Sequence, residues 1–300
     1  MRSKLERNDF HGFMDAVEGT SADELPRQLW PDNPEYNPRD HLAPVAERHF
    51  NDEATQHAWM MELKENVEDY RWLYDKLHDP VSKDTLTSIL RYRLSWDGED
   101  LTQTQRMEKY FDWALLDRPD NAVYVDAGAY DGGSVGNFMR MYGDDYGSIH
   151  AFEPFPNSFA KLQEGYSGLR ATALNNQGLW DETKTLTYAG KGQSVTVATP
   201  DSEARPDGTI EVIRLDDYLD EAPSFIKMDI EGAEARAIRG AYNVIQAGMP
   251  QLAICAYHLI DDLRVLPRLI TEIDEGYELS LRNYKTKGSA EIVLYARPQQ

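Results

Sequence analysis

The later part of this 300-residue sequence alternates short apolar runs with segments of helical periodicity, and this alternation constrains the fold most. Five apolar runs follow one another, and they read AVYVDAGAY, GSIHAFEP, LRATALNN, SFIKMDI and PQLAICAYH. Helical patterns separate several of these runs, at about 135–142, 158–164 and 231–246. Strands that alternate with helices form parallel sheets that helices cover on both faces. The sequence therefore predicts an α/β domain over 119–300.

The chain ends with two strand-like runs that only a short link joins. YELSLRNYK and AEIVLYARP are separated by TKGS, a link short enough for a hairpin. We therefore expect an antiparallel strand inserted at the edge of the parallel sheet. Two earlier segments interrupt the alternation: TLTYAGKGQSVTVAT is typical of a hairpin that turns at 190–192, and ARPDGTIEVI adds a loop and a strand. Both are predicted to form an insertion at the ligand-bearing edge of the sheet.

The first 118 residues follow two other patterns. Five prolines interrupt every helical pattern near the start, namely Pro26, Pro31, Pro34, Pro38 and Pro44. Residues 1–55 are therefore predicted to form an irregular N-terminal arm. Residues 56–118 are predicted to be a helical region, with one apolar helix face from Trp59 to Leu77. A second helix is expected from Ser82 and a third over about 104–115. The apolar face is expected to pack in a core, and a ligand-binding face is the alternative.

Composition excludes several classes of protein. Lysine and arginine number 31 against 52 acidic residues, so the formal net charge is −21, which repels nucleic-acid phosphates and anionic membrane surfaces. Cys255 is the one cysteine, so no disulfide can form within the chain. No apolar run has signal-peptide length or approaches the ~20 residues that span a bilayer. A cytoplasmic protein that binds neither nucleic acid nor membrane is therefore expected.

The first chemical motif is a glycine-rich turn in VYVDAGAYDGG. An apolar strand ends at Asp126, and Gly128, Gly132 and Gly133 lead into a helix near Ser134. Glycines let a ligand approach the main chain, and a helix N-terminus offers free N–H groups. The spacing is not GxGxxG, and a tight turn without a ligand is the alternative.

The second motif is IHAFEPFPNSF, which places Glu153 at the end of the next strand. Glu153 follows Gly132 by 21 residues, and an acid in that position can accept hydrogen bonds from two ribose hydroxyls. Pro154 stiffens the exit from this strand. With the glycine turn before it, the motif indicates nucleoside binding.

The third motif is FIKMDIEGAEARAIRGA, a strand followed by a helix with four charges at the junction. Lys227 and Asp229 share one face of the strand. Burying them unpaired would cost several kcal/mol, so both are expected at its exposed carboxyl end. Lys227 is expected to pair with a nearby acid. Glu231 and Glu234 are predicted in the first helical turn, where interaction with the helix dipole, worth ~0.3–1 kcal/mol, is the structural alternative to a catalytic role.

The fourth motif is Tyr257-His258 at the end of PQLAICAYH. Asp126, Glu153, Asp229 and His258 all end predicted strands. The carboxyl ends of parallel strands form the ligand-binding edge of such sheets, so one site could collect these four side chains. A histidine titrates near neutrality and suits general-base catalysis, and a structural histidine is the alternative. The chain has no cysteine–histidine cluster of zinc spacing and no phosphate-binding GxxxxGK[ST] loop, and no metal is expected.

These motifs together resemble the FkbM-type S-adenosylmethionine-dependent methyltransferases. The resemblance rests on VDAGAYDGG, AFEPFP, FIKMDIEGAEARAIRGA, PQLAICAYH and the closing LRNY and EIVLYA, and it covers about 110–297. It implies a Rossmann-like class I methyltransferase fold over 119–300, with a seven-stranded, mostly parallel sheet whose last strand is antiparallel. An N-terminal helical region would precede this domain, and the implied cofactor is S-adenosyl-L-methionine.

The resemblance also implies roles for single residues. The methionine part of the cofactor would lie along the glycine turn, the ribose at Glu153, and the adenine beside the residues that follow the third strand. The implied cofactor-binding residues are Asp126, Gly128, Ala129, Tyr130, Gly132, Glu153, Pro154, Asn176, Gln177 and Asp229. For catalysis, His258 is the expected base, Asp229 would orient it or bind the acceptor hydroxyl, and Lys227 and Glu234 would support the pocket.

The resemblance implies O-methylation of a hydroxyl on a saccharide or a small natural product. A nicotinamide-dependent Rossmann oxidoreductase is the alternative enzyme, since a ribose-binding acid after a glycine turn suits both. A cofactor-binding scaffold protein without turnover is the alternative of another class. The sequence leaves the acceptor open, and it leaves open whether the N-terminal region forms a homo-oligomer contact.

Overall fold

The computed structural model describes residues 9–21, 53–95, 101, 104–189, 196–197, 207–285 and 291–299. The strands in these residues are, in chain order, β1 Ala122–Ala127, β2 Tyr146–Phe152, β3 Thr172–Asn175, β4 Gly178–Leu179, β5 Lys184–Ala189, β6 Thr196–Val197, β7 Gly208–Ile213, β8 Phe225–Met228, β9 Gln251–Cys255, β10 Tyr277–Asn283 and β11 Ile292–Pro298. The helices are α1 Phe10–Gly19, α2 Glu53–Glu65, α3 Val67–Lys76, α4 Pro80–Ser95, α5 Gly133–Tyr142, α6 Pro156–Tyr166, α7 Leu215–Tyr218, α8 Glu234–Gly240, α9 Tyr242–Gly248 and α10 Asp262–Ile273.

Seven strands form the main sheet, in the order β10-β11-β9-β8-β1-β2-β3. Strand β1 pairs in parallel with β2 and β8, and the parallel pairing continues to β3 on one side and β9 on the other. Strand β11 is antiparallel to both β9 and β10. The mostly parallel sheet with an antiparallel last strand is therefore confirmed. The antiparallel strand β11 lies inside the sheet and not at its edge. Its apolar residues therefore have a neighbouring strand on each side, β10 and β9.

The centre of the sheet is the most deeply buried part of the fold. Every residue of β1, β8 and β9 is buried, because helices cover both faces of these strands. The predicted helices at 135–142 and 158–164 are present as α5 and α6. This arrangement fixes the carboxyl ends of β1, β2 and β8 side by side.

Two helices of the sheet region differ from the predicted pattern. The helix expected from 231 begins at Glu234, because Glu231 and Gly232 have φ angles of 55° and 95° and form a left-handed turn. Helix α10 had no predicted counterpart, since it contains Pro267 and proline usually ends a helix. Its apolar residues recur every three or four positions and are buried, which keeps the segment helical.

The N-terminal region is more ordered than its sequence indicates. Helix α1 lies within the stretch predicted to be an irregular arm, and it buries Phe10, Phe13, Met14 and Val17 on one face. That part of the prediction is wrong, because the apolar face offsets the entropy of ordering the segment. The five prolines lie outside the described residues. The single helix predicted from Trp59 to Leu77 is divided into α2 and α3 at Asn66.

The prediction of a third helix over 104–115 is also wrong, because these residues form turns. Tyr110 has a φ of 72°, and its N–H donates to Tyr295 Oη at 2.9 Å. Gln105 forms a bridge with Asn283 of β10. The main chain of this segment therefore bonds to the sheet, and both Tyr110 and Phe111 are buried against it.

The insertion forms a second, smaller sheet in the order β4-β7-β5-β6. Strands β5 and β6 are antiparallel, as the predicted hairpin requires, and the turn at 190–192 lies outside the described residues. Strand β7 pairs antiparallel with β5 and parallel with β4. Among the described residues, no helix is long and apolar enough to cross a membrane. The division of the chain at 55 and 118 stays a prediction.

Candidate active site

A cavity of about 520 Å³ opens at the carboxyl ends of β1, β2 and β8. Loops after these three strands form its floor, and the small sheet forms one wall. Seven of the residues expected to bind the cofactor or to act in catalysis line it, namely Gly128, Ala129, Tyr130, Glu153, Pro154, Lys227 and Asp229. Six others do not, namely Asp126, Gly132, Asn176, Gln177, Glu234 and His258. The volume is that of a site for a small molecule or cofactor.

Two glycines of the first motif are required by close packing. Gly128 has a φ of 77°, and a Cβ atom there would lie 1.9 Å from the main-chain oxygen of Asp229. Gly132 has a φ of 93°, and a Cβ atom there would lie 2.1 Å from the ring of Tyr166. Gly128 therefore lets the loops after β1 and β8 touch beneath the cavity. Gly132 packs against α6 and does not face the cavity as the resemblance implied.

Lys227 is buried and paired, in contrast to the exposed position expected for it. Its side chain is 2% exposed, and Nζ donates to Asp126 Oδ1 at 2.9 Å. The ammonium also donates to the main-chain oxygens of Ala127 at 3.1 Å and Gly128 at 2.7 Å. Burial opposes the charge of Lys227, but Asp126 and Asp229 outweigh burial and raise its pKa. The expected pairing with an acid is thus confirmed, and that acid supports the glycine turn from beneath.

Glu153 lies in the cavity wall at the end of β2. Its Oε2 accepts the N–H of Tyr130 at 2.9 Å, and its Oε1 accepts the N–H of Phe155 at 3.0 Å. Burial raises the pKa of Glu153, and these two N–H groups act against that shift. Each carboxylate oxygen has a second lone pair, so the oriented group can still accept two hydroxyl donors.

The wall beyond Glu153 is apolar and comes largely from the insertion. Asn176 donates to the main-chain oxygens of Glu153 and Pro154. Neither Asn176 nor Gln177 lines the cavity, and their place beside the adenine stays a prediction. The side chains that form this wall are Phe155, Leu179, Trp180, Leu186, Tyr188 and Val212. Among the described residues, none accepts a hydrogen bond from the buried Nε1 of Trp180.

Asp229 stands at the other end of the cavity with four polar neighbours. Its Oδ2 accepts from Tyr110 Oη at 2.5 Å and from Lys109 Nζ at 3.4 Å, and its Oδ1 accepts from Tyr257 Oη at 3.2 Å. Burial acts against the carboxylate, but His258, Lys227 and Lys109 outweigh burial and hold its pKa well below the usual range. The neighbours of Asp229 therefore favour its charged form.

Lys109 and Tyr110 were missed at the sequence level, and so was Glu291. All three line the cavity, and Lys109 also forms an ion pair with Glu291. No motif marks them, because Lys109 and Tyr110 lie in the turns at 104–116 and Glu291 immediately precedes β11. The one local signal is the position of Glu291 immediately before the apolar run of β11, which places it at the end of a buried strand.

His258 lies behind this end of the cavity and is 9% exposed. Its Nε2 is 3.3 Å from Asp229 Oδ1, and its Nδ1 is 2.9 Å from Glu234 Oε1. Burial acts against the imidazolium, but the two carboxylates outweigh burial and raise the pKa of His258 to about 10. His258 is thus already protonated at neutral pH. Its role as a base stays a prediction, and both its charge and its position count against that role.

Glu234 is completely buried and holds the turn before α8. Its Oε1 accepts the N–H of Ile230 at 2.8 Å, and its Oε2 accepts the N–H of Gly232 at 3.0 Å. Ligand-type atoms of Asp229, Glu234 and His258 lie within 4.8 Å of one another, a spacing that a metal ion could use. The ring of His258 lies between two carboxylates, however, with Nε2 near Asp229 and Nδ1 near Glu234, although Nδ1 has no hydrogen-bond partner among the described residues.

The fold and the cavity together define a class of protein. The strand order with its internal antiparallel strand, and a cavity between a glycine turn and an acid at the next strand end, are those of Rossmann-like class I methyltransferases. The family model of the methyltransferase FkbM domain matches residues 126–279, about half of the chain. The chain belongs to the FkbM methyltransferase family.

Solved structures with this fold include another family member. The methyltransferase FkbM from Methylobacillus flagellatus KT has a TM-score of 0.69 and 28% sequence identity. That match covers 79% of this chain and 60% of the other, so the chain spans less than two thirds of that relative.

More distant matches are an rRNA methylase from Streptococcus thermophilus (TM-score 0.39, 15% identity, 62% of this chain and 92% of that one) and an S-adenosylhomocysteine-bound methyltransferase from Podospora anserina (TM-score 0.34, 11% identity, 86% and 100%). Among curated protein sequences, none matches the chain.

Proposed function

We propose that this protein transfers a methyl group from S-adenosyl-L-methionine to a hydroxyl oxygen of a saccharide or a small natural product. The observation that carries the proposal is the cavity itself. One continuous space of about 520 Å³ joins the glycine turn and Glu153 to a polar end formed by Asp229, Lys109 and Glu291. The first half of this space, at the glycine turn and Glu153, would bind the methyl donor, and the polar end would bind the acceptor. A methyltransferase needs both, since donor and acceptor must meet within one site.

The residues of the first half suit the cofactor. Glu153 has lone pairs available for two ribose hydroxyls, and the main chain at Gly128 can approach the methionine part closely. The apolar wall offers aromatic and aliphatic side chains against which adenine can pack. When bound, the cofactor supplies an activated methyl group on a positively charged sulfonium. The negative charge of Asp229 lies at the end of the cavity where this sulfonium is expected.

The polar end suits a hydroxylated acceptor without phosphate groups. Carboxylates outnumber ammonium groups among the charged side chains that line the cavity, which are Asp131, Glu153, Asp229, Glu231, Glu291, Lys109 and Lys227. Together with the net charge of −21, this disfavours nucleic acid and anionic membrane lipid as partners. Hydroxyl groups can donate to these carboxylates and accept from Lys109, which is the hydrogen-bonding pattern of saccharides.

Membership of a methyltransferase family counts against the nicotinamide-dependent oxidoreductase, which shares only the glycine turn and the ribose-binding acid. A scaffold protein that binds the cofactor without turnover is the remaining alternative. Calorimetry with S-adenosylhomocysteine and with NAD⁺ separates the two cofactors, and we expect binding of the first alone.

The acceptor is sought with methyl-labelled S-adenosylmethionine and a panel of monosaccharides, disaccharides, polyols and hydroxylated natural products. Mass spectrometry then follows the label. Label on an acceptor oxygen supports the proposal. Cofactor binding without transfer to any member of the panel favours the scaffold protein.

A further inference from the structure

Removal of the acceptor proton requires a basic atom that faces the cavity with a free lone pair. His258 does not meet this requirement, because both of its ring nitrogens face carboxylates and the ring lies outside the cavity wall. Asp229 does not meet it either, since four side chains, with His258 as the fourth, surround its two oxygens. The Glu291 carboxylate is paired with Lys109. Among the carboxylates at the polar end of the cavity, this leaves Glu231.

Glu231 has the exposure and the freedom that these groups lack. It lines the cavity next to Asp229, and its side chain is 42% exposed. Its nearest charged contact is 3.7 Å, from Oε2 to His258 Nε2. Within the part of the chain that the structure describes, no residue donates a hydrogen bond to its carboxylate. An incoming hydroxyl can therefore reach a carboxylate oxygen without displacing a protein donor.

The main chain holds Glu231 in this position. Its φ of 55° is in the left-handed region, which disfavours residues other than glycine, asparagine and aspartate, and Gly232 follows at 95°. The residues on either side, Ile230 and Gly232, donate their N–H groups to the same buried carboxylate of Glu234. Glu234 thus fixes the turn from the protein interior, and Glu231 lines the cavity from this turn. A strained conformation that its surroundings enforce is typical of functional residues.

We propose that Glu231 is the catalytic carboxylate that accepts the proton of the acceptor hydroxyl during methyl transfer. This inference rests on the proposed function. As the acceptor oxygen forms its bond to the methyl carbon, the carbon–sulfur bond breaks and its electron pair stays on sulfur. The O–H proton passes to Glu231. The products are the methyl ether, S-adenosylhomocysteine and a protonated Glu231, which solvent then deprotonates.

The charges around Glu231 suit this role. Burial raises its pKa above the ordinary value, His258 and Lys109 act against that shift, and Asp229 and Glu234 reinforce it. A carboxylate with a raised pKa is a stronger base than an ordinary one. Lys109 stands across the same polar end and can stabilise negative charge that develops on the acceptor oxygen.

The test compares Glu231→Gln with the wild-type chain, using the same labelled cofactor and acceptor panel. Glutamine keeps the size of the side chain but cannot take the proton. We expect methyl transfer to fall by about 10²–10⁴-fold, while affinity for S-adenosylhomocysteine changes less than about twofold. Glu231→Asp should restore part of the rate. The wild-type rate should also fall on the acid side of neutrality, and this limb should disappear in Glu231→Gln.

Glu275→Gln is the matched control, since Glu275 is exposed at the opposite edge of the sheet, before β10. It should transfer at the wild-type rate. Wild-type transfer accompanied by a Glu231→Gln rate within about threefold of this control would refute the role of Glu231 alone. A wild-type protein that binds the cofactor and methylates nothing would overturn the proposed function, and the inference about Glu231 with it.

Discussion

Lys227 is the single residue that connects the most parts of the site. Its ammonium binds the carboxylate of Asp126 and the main-chain oxygens of Ala127 and Gly128, at the end of β1, while its own main chain belongs to β8. A buried ion pair of this kind adds little net stability compared with an apolar pair, but losing one partner leaves a buried charge unpaired. The pair therefore makes the strand and the glycine turn interdependent.

We expect Lys227→Met to lower the free energy of unfolding by about 3–5 kcal/mol, since Asp126 would stay buried without its partner. Urea unfolding followed by circular dichroism measures this change. Lys76→Met, at an exposed position of α3, should change it by less than about 0.5 kcal/mol. The double variant Asp126→Asn with Lys227→Met should recover part of the loss. A loss below about 1 kcal/mol for Lys227→Met would contradict the importance of the pair.

His258 is expected to make the protein less stable as the pH rises above neutrality. Its pKa is raised from 6.5 to about 10 in the folded chain, so between these values the folded state holds a proton that the unfolded state has lost. The stabilisation from His258 is therefore complete below pH 6.5 and is lost as pH rises toward 10. We expect the free energy of unfolding to fall by about 1.4 kcal/mol per pH unit within this window.

Unfolding measured from pH 7 to 9.5 in the wild type and in His258→Gln tests this expectation. The variant should be less stable at pH 7 and should show a smaller slope with pH. Equal slopes in the two proteins would mean that His258 is not an imidazolium in the folded state.

At the scale of elements, α8 and β4 approach so closely that a glycine is required between them. A Cβ atom at Gly240 would lie 1.8 Å from the main-chain oxygen of Trp180. A main-chain atom cannot move aside as the end of a flexible side chain can. Because Trp180 lines the cavity, this contact also fixes the apolar wall. The packing of α8 thus affects the half of the cavity that is proposed to bind the cofactor.

We expect Gly240→Ala to lower the free energy of unfolding by about 1–3 kcal/mol and to weaken binding of S-adenosylhomocysteine. Gly165→Ala is the control, since a Cβ atom at this exposed position of α6 would have no neighbour within 4 Å. It should raise stability by about 0.5–1 kcal/mol, because alanine has the smaller unfolded-state entropy. Thermal unfolding and calorimetry provide both measurements. Equal behaviour of the two variants would refute the close approach.

The elements that sequence analysis predicted well are those whose pattern is local. Strand and helix alternation is visible in any short window, so the sheet, α5 and α6 were predicted near their observed positions. The failures depend on distant partners. The segment at 104–115 forms turns because the N–H of Tyr110 bonds to Tyr295, 185 residues away. Helix α10 keeps its form around Pro267 because the rest of the fold covers its apolar face.

At the scale of the whole molecule, the N-terminal helices are joined to the edge of the sheet by hydrogen bonds. The N–H of His78 donates to the main-chain oxygen of Leu279 at 2.8 Å, and the N–H of Leu281 donates to Ser82 Oγ at 2.9 Å. Arg282 also donates to Ser82 Oγ, at 2.8 Å, within the same contact. The exposed edge that β10 would otherwise present is thereby covered.

We therefore expect the helices and the sheet to unfold in a single transition. Far-ultraviolet circular dichroism reports the helices, and near-ultraviolet dichroism reports tryptophans in both parts, such as Trp59 and Trp180. Denaturation curves from the two signals should coincide. Two separated transitions would instead support a boundary near residue 118 between independent units.

The site was predictable to the extent that topology determines it. Parallel strands bring their carboxyl ends together, so Glu153 and Asp229 were expected in one place, and both line the cavity. Lys109, Tyr110 and Glu291 could not be found in the same way. They belong to turns and a strand entry without a motif, and their position follows from contacts made only in the folded chain.

The same three residues lie outside 126–279, the segment that the family model matches. Two relatives can therefore agree over that whole segment and still present different side chains to the molecule they modify. A match to the family transfers the cofactor half of the site far more safely than the acceptor half. We therefore expect residues outside 126–279 to determine which acceptor is used. Relatives are best grouped by comparing their residues equivalent to 104–116 and to Glu291.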